Sequence, residues 1–259
     1  MIIHSRIWKL ATSLLALLPT ALALVGSGWS LSNVPANGLR DVTFPITIVE
    51  ADHFAGYYFA QQFNFAGVSD VGYTGIQPRP DSGGKVVLHG VFSSFVPGTT
   101  TNDKNCSPGA DGGPGVSCSV EWNGVFNRTY DYEVKTTRNR VWVGTAIDTV
   151  SGARVQIGSW TLPTGSGGIL GSQVGFVEWY PWNVVVPPNH CANLPYQKTI
   201  FGVPHTTHAG SIGTQSLSYE YGDCVGQVAF HTEQVVSGVE NNCGFRGATG
   251  SGKGVRTLY

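Results

Sequence analysis

The chain has 259 residues, with 15 basic and 16 acidic side chains, a formal net charge of −1 and 12% charged residues. That balance leaves no basic footprint for nucleic acid, and the length allows one large or two small domains. Thirty-five glycines, 11% aromatic residues and a single methionine describe a strand-forming chain, so an all-β protein is expected.

His4, Arg6 and Lys9 precede an apolar run that ends in the small-residue triplet Ala21, Leu22, Ala23, the pattern of a secretory signal cleaved before Leu24. The run falls short of the ~18 apolar residues that a spanning helix needs, and Pro19 interrupts it. No second candidate span follows, so an exported, extracellular protein without a membrane span is expected. Removing 23 of the 259 residues takes Arg6 and Lys9 with it and leaves 13 basic against 16 acidic side chains.

Residues 24–41 read as an irregular lead-in and 42–259 as one domain that ends in a flexible Gly-rich tail. Strands are predicted over 42–50, where Pro45 suggests a sheet edge, and over 57–65. In the latter, Tyr57, Phe59, Gln61, Phe63 and Phe65 share one face. A short strand and a turn-rich loop fill GYTGIQPRPDSGG, and further strands follow over 85–95, 117–122 and 125–134. Residues 141–160 read as a hairpin turning at Ser151 and Gly152. With Val141, Val143, Thr145 and Ile147 on the core face, Trp142, Arg154, Gln156 and Trp160 fall on the other, a surface suited to a sugar ring. Strands over 174–182, 196–203, 217–221 and 225–233 complete a two-sheet jelly-roll sandwich.

Five cysteines follow the signal, and export makes disulfides the default. Cys106 and Cys118 bracket a segment with no regular pattern and are the natural local pair. Cys224 with Cys243 is the next most economical bridge and leaves Cys191 over; Cys191 with either of those two is the alternative. Asn127, followed by Arg128 and Thr129, is an N-glycosylation acceptor.

The segments GYYFAQQF, GYTGIQ, WVGTAIDTVSGARVQIGSW and GFVEWY resemble a family of secreted bacterial and fungal domains of unknown function. The resemblance spans roughly residues 54–204 and implies a concanavalin-like sandwich; it implies no catalytic residues.

Glycoside hydrolysis needs two carboxyl groups, one of them held protonated. Glu178 is the acid candidate, because Phe176, Trp179, Tyr180 and Trp182 surround it in sequence and would desolvate it. Asp131, Glu133 and Asp148 are its candidate partners, and Trp142, Arg154, Gln156, Trp160 and Tyr180 are candidate substrate-binding residues. The expected partner is a polysaccharide or glycan surface, either cleaved or bound without cleavage by a lectin-like module or secreted effector. A polysaccharide lyase would instead use His89, Tyr132 and Arg154. No cofactor is called for. His205 and His208 fall on opposite faces of a strand, so no metal site is expected there, while Asp103 and Asp111 offer oxygens to a structural calcium. Residues 247–253 imitate a phosphate-binding loop but lack the Ser or Thr that should follow Lys253.

Overall fold

Alternating apolar residues in segments rich in aromatic and β-branched side chains place nearly the whole chain in strands. The computed structural model describes residues 23–138, 140–183 and 189–250. The first eight strands are β1 (Ala23–Leu31), β2 (Asp41–Ala51), β3 (Tyr57–Asn64), β4 (Val71–Ser82), β5 (Lys85–Ser94), β6 (Cys106–Ala110), β7 (Gly113–Asn123) and β8 (Thr129–Arg138). The rest are β9 (Val141–Asp148), β10 (Arg154–Thr161), β11 (Ser172–Trp179), β12 (Gln197–Gly202), β13 (Gly213–Gln215), β14 (Tyr219–Glu220), β15 (His231–Val235) and β16 (Gly238–Cys243). Single 3-10 turns cover Tyr180–Asn183 and His190–Asn193.

Two antiparallel sheets form a sandwich, as the composition predicts. One has the order β13-β1-β11-β3-β4-β5-β7-β6 with β14 beside β1, the other β10-β9-β8-β2-β12-β16-β15. The face of β3 that carries Tyr57, Phe59, Gln61 and Phe63 is the inner one: all four are buried, as is Phe65 just beyond.

The faces of β9, and of β10 beyond its bulge, are the reverse of those expected, while in the first half of β10 Ile157 is buried and Arg154 and Gln156 are exposed as expected. Trp142 and Trp160, predicted to face a sugar, are each 1% exposed, while Val141 and Val143 are only half-buried. Gly144 sits on the same inward side as Trp142, and a Cβ there would lie 2.4 Å from the Phe92 ring of the opposite sheet. In β10 a bulge between Gln156 and Gly158 shifts the alternation by one residue, so Ile157 and Trp160 both reach the core. Trp160 stacks on Phe92 with centroids 4.6 Å apart, and Trp142 packs on Phe65 at 5.0 Å. Trp160→Ala is expected to lower unfolding stability in urea by about 3–5 kcal/mol. A loss below ~1 kcal/mol would be inconsistent with this core role.

Three further expectations change. Residues 24–31, predicted irregular, belong to β1, which pairs with β11 through Gly26↔Phe176 and Gly28↔Val174. The glycines that made this stretch look like a linker admit neighbours: Tyr219 and Ser216 lie 2.5 and 2.9 Å from where Cβ atoms would be. Strand β2 is internal, between β8 and β12, despite Pro45. Thr43, on the same side of the ladder as Pro45, donates its N–H to His205 beyond the end of β12, and recorded pairing with β12 stops at Ile46, so the missing N–H falls where that ladder has ended. The Gly-rich C-terminal segment contains β16, paired with both β12 and β15. Residues 1–22 of the signal and 251–259 of the tail lie outside the described residues, as do Pro187 and Pro188.

Cys106 and Cys118 are bridged as predicted, and the pair rests against Gly158 of the other sheet, where a Cβ would meet both cysteine side chains. The second bridge is Cys191–Cys224, not Cys224–Cys243. Pairing of β16 with β12 sets Cys243 opposite Gln197 in the core, where the free thiol accepts a hydrogen bond from the Gln197 Nε2 at 3.4 Å. Burial pushes this thiol up to about 11. No helix among the described residues is long and apolar enough to cross a membrane.

Candidate functional site

The outer face of an antiparallel sheet is ordinarily solvated. On the first sheet it is not: Tyr58, Tyr73, Gln77, Arg79, His89, Val91 and Glu178 point away from the sandwich core and yet are all buried. The turn between β6 and β7 reaches back over the face, so that Asp111 accepts a hydrogen bond from the Tyr73 hydroxyl at 2.8 Å. The 3-10 turn at Tyr180–Asn183 closes over it from the other side, and Tyr219 lies across Gly26. On this face Tyr58, Ala60, Tyr73 and Val91 are buried in a second apolar cluster, with Phe95, Phe176 and Tyr180 packed against it, and this covered band of the outer face is the candidate trough.

Strand register places the polar residues of this trough in one line across five strands. Glu178 of β11 is opposite Tyr58 of β3, Gln77 of β4 opposite His89 of β5, and His89 opposite Glu121 of β7. Phe59↔Ile76 sets Tyr58 beside Gln77 one step further along the same register. Strands are about 4.8 Å apart, so the line from Glu178 to Gln77 spans about 10 Å with Tyr58 between them.

Glu178 is 9% exposed, and its carboxyl is raised to about 7, mainly by burial and further by the negative charge of Asp111. The Asn183 amide, donating to Glu178 Oε1 at 2.6 Å, acts in the opposite direction. The aromatic surroundings read from sequence therefore have the expected effect. A carboxyl that titrates near neutrality can both accept and return a proton.

Gln77 and Arg79 occupy alternate positions of β4. The Arg79 guanidinium donates to the Gln77 Oε1 at 2.7 Å, to Glu121 Oε1 at 3.2 Å, to the Tyr180 hydroxyl at 3.3 Å and to the Pro78 carbonyl at 3.2 Å. With its oxygen held by Arg79, the Gln77 carboxamide has its NH2 left to donate. His89 Nδ1 lies 3.3 Å from Glu121 Oε1. Burial and the Arg79 charge hold this imidazole down to about 4, so it is neutral across the range in which Glu178 titrates.

The carboxylates predicted to partner Glu178 are in the other sheet. Asp131 and Glu133 lie on β8 and Asp148 on β9, each with its own local environment. Arg154, predicted to bind substrate, forms an ion pair with Glu133 at 2.6 Å. Gln156, predicted likewise, donates to Asp103 at 2.8 Å. Asp148 is pulled down to about 2 against its desolvation by the Val150 N–H, Arg128 and Ser151, and burial raises Asp131. Of the predicted substrate-binding residues, Tyr180 alone lies in the trough. The lyase set does not converge either: His89 is in the trough, Tyr132 is fully buried in the core and Arg154 is on the other sheet. Asp103 and Asp111 engage different donors, Gln156 with Ser159 in one case and Tyr73 in the other, rather than sharing one site. His205 and His208 are both exposed. His190 lies close to Cys191 and Cys224, but those two sulfurs are joined to each other. Asn127 is exposed and sits at φ 56° between β7 and β8. Surface depressions lined by Val68, Val96, Pro97 and Pro163, and by Glu50, Asp52, Tyr196 and Arg246, include no residue of the polar row.

Sequence reading missed Gln77, Arg79, Glu121 and Asn183. Pro78 and Pro80 made Gln77 and Arg79 look like loop residues, although Gln-Pro-Arg-Pro keeps the period of two that a strand requires. Beyond Ile76 the recorded partner of β4 is β5 alone, which leaves one side of the strand open to prolines.

No protein-family model matches the chain, and no curated protein matches it in sequence. Solved structures similar to it include two of scytalido-glutamic peptidase, one with a transition-state analogue inhibitor and one with a peptide-based transition-state analogue. They are 10% and 12% identical, with TM-scores of 0.46 and 0.47, and each comparison covers 86% of this chain and 98% of the other. A third is SCP-B, a member of the eqolisin family of peptidases, in complex with the tripeptide Ala-Ile-His. It is 10% identical, with a TM-score of 0.44 and the same coverage.

Proposed function

We propose that the protein is a secreted hydrolase that cleaves amide bonds of a polypeptide laid in the trough, with Glu178 as general base and then general acid. The observation that carries this reading is a buried carboxyl, raised to about 7, in line with a carboxamide whose NH2 is left to donate. Amide hydrolysis requires one group to take a proton from water and return it to the leaving amine, and a donor for the oxyanion. Glu178 fills the first role and Gln77 the second. The signal-like N-terminus and the two disulfides support export, and the strand segments that resemble the secreted domain family support membership of that family.

The aromatic floor favours a polypeptide over a glycan. Tyr58, Tyr73 and Phe176 pack edge to face, at interplanar angles of 70° and 83°, so their faces are turned into one another rather than offered to a sugar ring. A second reading rests on Asp111, whose charge acts on Glu178: these two carboxyls would serve as the acid and base of glycoside hydrolysis on a polysaccharide.

One experiment separates the two. Purified wild type and Glu178→Gln are incubated with a peptide library prepared from a digested proteome and with a panel of neutral and uronate-containing polysaccharides. New amino termini produced by wild type alone support the peptidase. New reducing ends produced by wild type alone support the Glu178–Asp111 glycosidase. Equal products from both proteins, or none, remove Glu178 from any hydrolytic role.

A further inference from the structure

We propose that removal of the signal before Leu24 gives the site a further charged group, the new α-ammonium of Leu24, which acts as a charge partner of Glu178. This rests on the reading of Glu178 as the proton-transfer group and adds to it what sets the pH at which that group works.

The small-residue triplet Ala21, Leu22, Ala23 marks the cut, and the first ladder places it. Ala23 is opposite Glu178 and Val25 opposite Val177, with a bulge between them, so the peptide that joins Ala23 to Leu24 lies on the Glu178 rung. Opposed Cα atoms in an antiparallel ladder are about 4.5–5.5 Å apart, which puts the Leu24 nitrogen roughly 5–8 Å from the Glu178 carboxyl. A second contact fixes the same corner. The Tyr221 N–H donates to the Leu24 carbonyl at 3.1 Å, and the Tyr221 hydroxyl, raised mainly by burial, is raised further by the charge of Glu178. Leu24 itself is 4% exposed, so this end of the strand is seated in the fold.

Glu178 has no cation beside it in the continuous chain. The groups around it are Tyr58 from β3, Tyr180 and the Asn183 amide after β11, Asp111 from the β6–β7 turn and Tyr221 beyond β14. None of these is positively charged, and Asp111 adds negative charge. Arg79, the guanidinium on this face, bonds to the Tyr180 hydroxyl instead. An α-amino group ordinarily titrates near ~8 and so stays protonated through the interval in which Glu178 ionises. An ammonium this close, in a corner withdrawn from water, favours the carboxylate by about one to two pH units. Signal removal acts on the exported chain before it folds, so the burial of Leu24 does not hinder the cut. Uncleaved protein keeps a Glu178 that ionises only near neutrality, and cleavage frees this base for use in a more acidic medium.

The test compares protein that begins at Leu24 with protein that keeps Ala21, Leu22 and Ala23 ahead of it, each also made as Glu178→Gln. Thermal melts of each form against its Glu178→Gln partner between pH 4 and pH 9 give the pH at which the folded carboxyl ionises. The longer form should titrate near 7, and the form beginning at Leu24 about one to two pH units lower. A purely structural role for the amino terminus would move both melts at every pH and leave this midpoint in place. Leu24→Gln at the same terminus cyclises onto its own side-chain amide with loss of ammonia, which leaves a neutral group there. It should return the midpoint of the longer form, and it replaces that form should the latter fail to fold. The intact mass of the secreted protein should show Leu24 as its first residue. Equal midpoints in the charged and neutral forms, or a secreted protein that begins elsewhere, overturn the proposal. Neither readout needs a substrate, so failure to cleave the peptide library would remove the peptidase reading while the midpoints still decide the charge pairing.

Discussion

Glu178→Gln is expected to lower turnover by about 10²- to 10⁴-fold, the contribution of a positioned general acid-base group, while the protein becomes more stable at alkaline pH. The sign of the stability effect follows from the direction of the shift. In the uncleaved chain the folded carboxyl titrates near 7, against an ordinary value of 4.5 for an exposed glutamate. Below about pH 4.5 both states hold the proton, and wild type and variant should melt alike. As pH rises through this interval the unfolded chain ionises first, and wild type loses stability until the folded group has ionised as well. At 1.36 kcal/mol per unit the full difference is about 3 kcal/mol above pH 7. Thermal melts of both proteins between pH 4 and pH 9 check this; parallel curves would mean that Glu178 is not a buried neutral acid at low pH. If the ionised form activates water, kcat/KM should rise about tenfold per pH unit towards 7 and level off above it. Activity and stability would then change in opposite directions over the same pH interval.

Gln77→Leu carries the second large effect. Loss of one oxyanion donor is expected to lower kcat by about 10²- to 10³-fold with KM nearly unchanged, because the bond is made to charge that develops only in the transition state. Arg79→Leu should reproduce part of this loss. Without the guanidinium on its oxygen, the carboxamide is free to rotate and present either end to the trough. A KM increase at constant kcat in Gln77→Leu would assign that residue to ground-state binding instead.

The legible parts of the chain are those whose local pattern and tertiary role coincide. Tyr57, Phe59, Gln61 and Phe63 alternate without interruption, so the sequence groups them on one face, and that face is the inward one. Glu178 is recognisable because a carboxylate among aromatics has few other reasons to be there. The β9–β10 hairpin is legible in position, but β9 and Trp160 take the opposite face: β-branched residues mark strands equally well on either face, and the bulge at Ile157 is invisible to a strict period of two. Asp131, Glu133 and Asp148 were plausible partners in sequence, but which strand lies beside β11 is decided by the sheet order. The residues in line with it, Tyr58 on the adjacent strand and then Gln77 and His89, come from segments about a hundred residues earlier in the chain, brought into line by hydrogen-bonded register.

The free thiol of Cys243 bears on how the chain must acquire its second bridge. In an unfolded chain, Cys224 can close a loop with Cys243, nineteen residues away, or with Cys191, at a separation of 33. Chain statistics favour the shorter loop by only about 0.5 kcal/mol, so oxidation before folding would give a mixture of pairings. The native bridge is selected once β16 has docked on β12 and withdrawn Cys243 from solvent, as the thiolate needed for exchange is then neither exposed nor readily formed. Sheet assembly thus acts as the proofreader of disulfide choice, and oxidative refolding from the fully reduced chain should yield more native protein when the oxidant is added late.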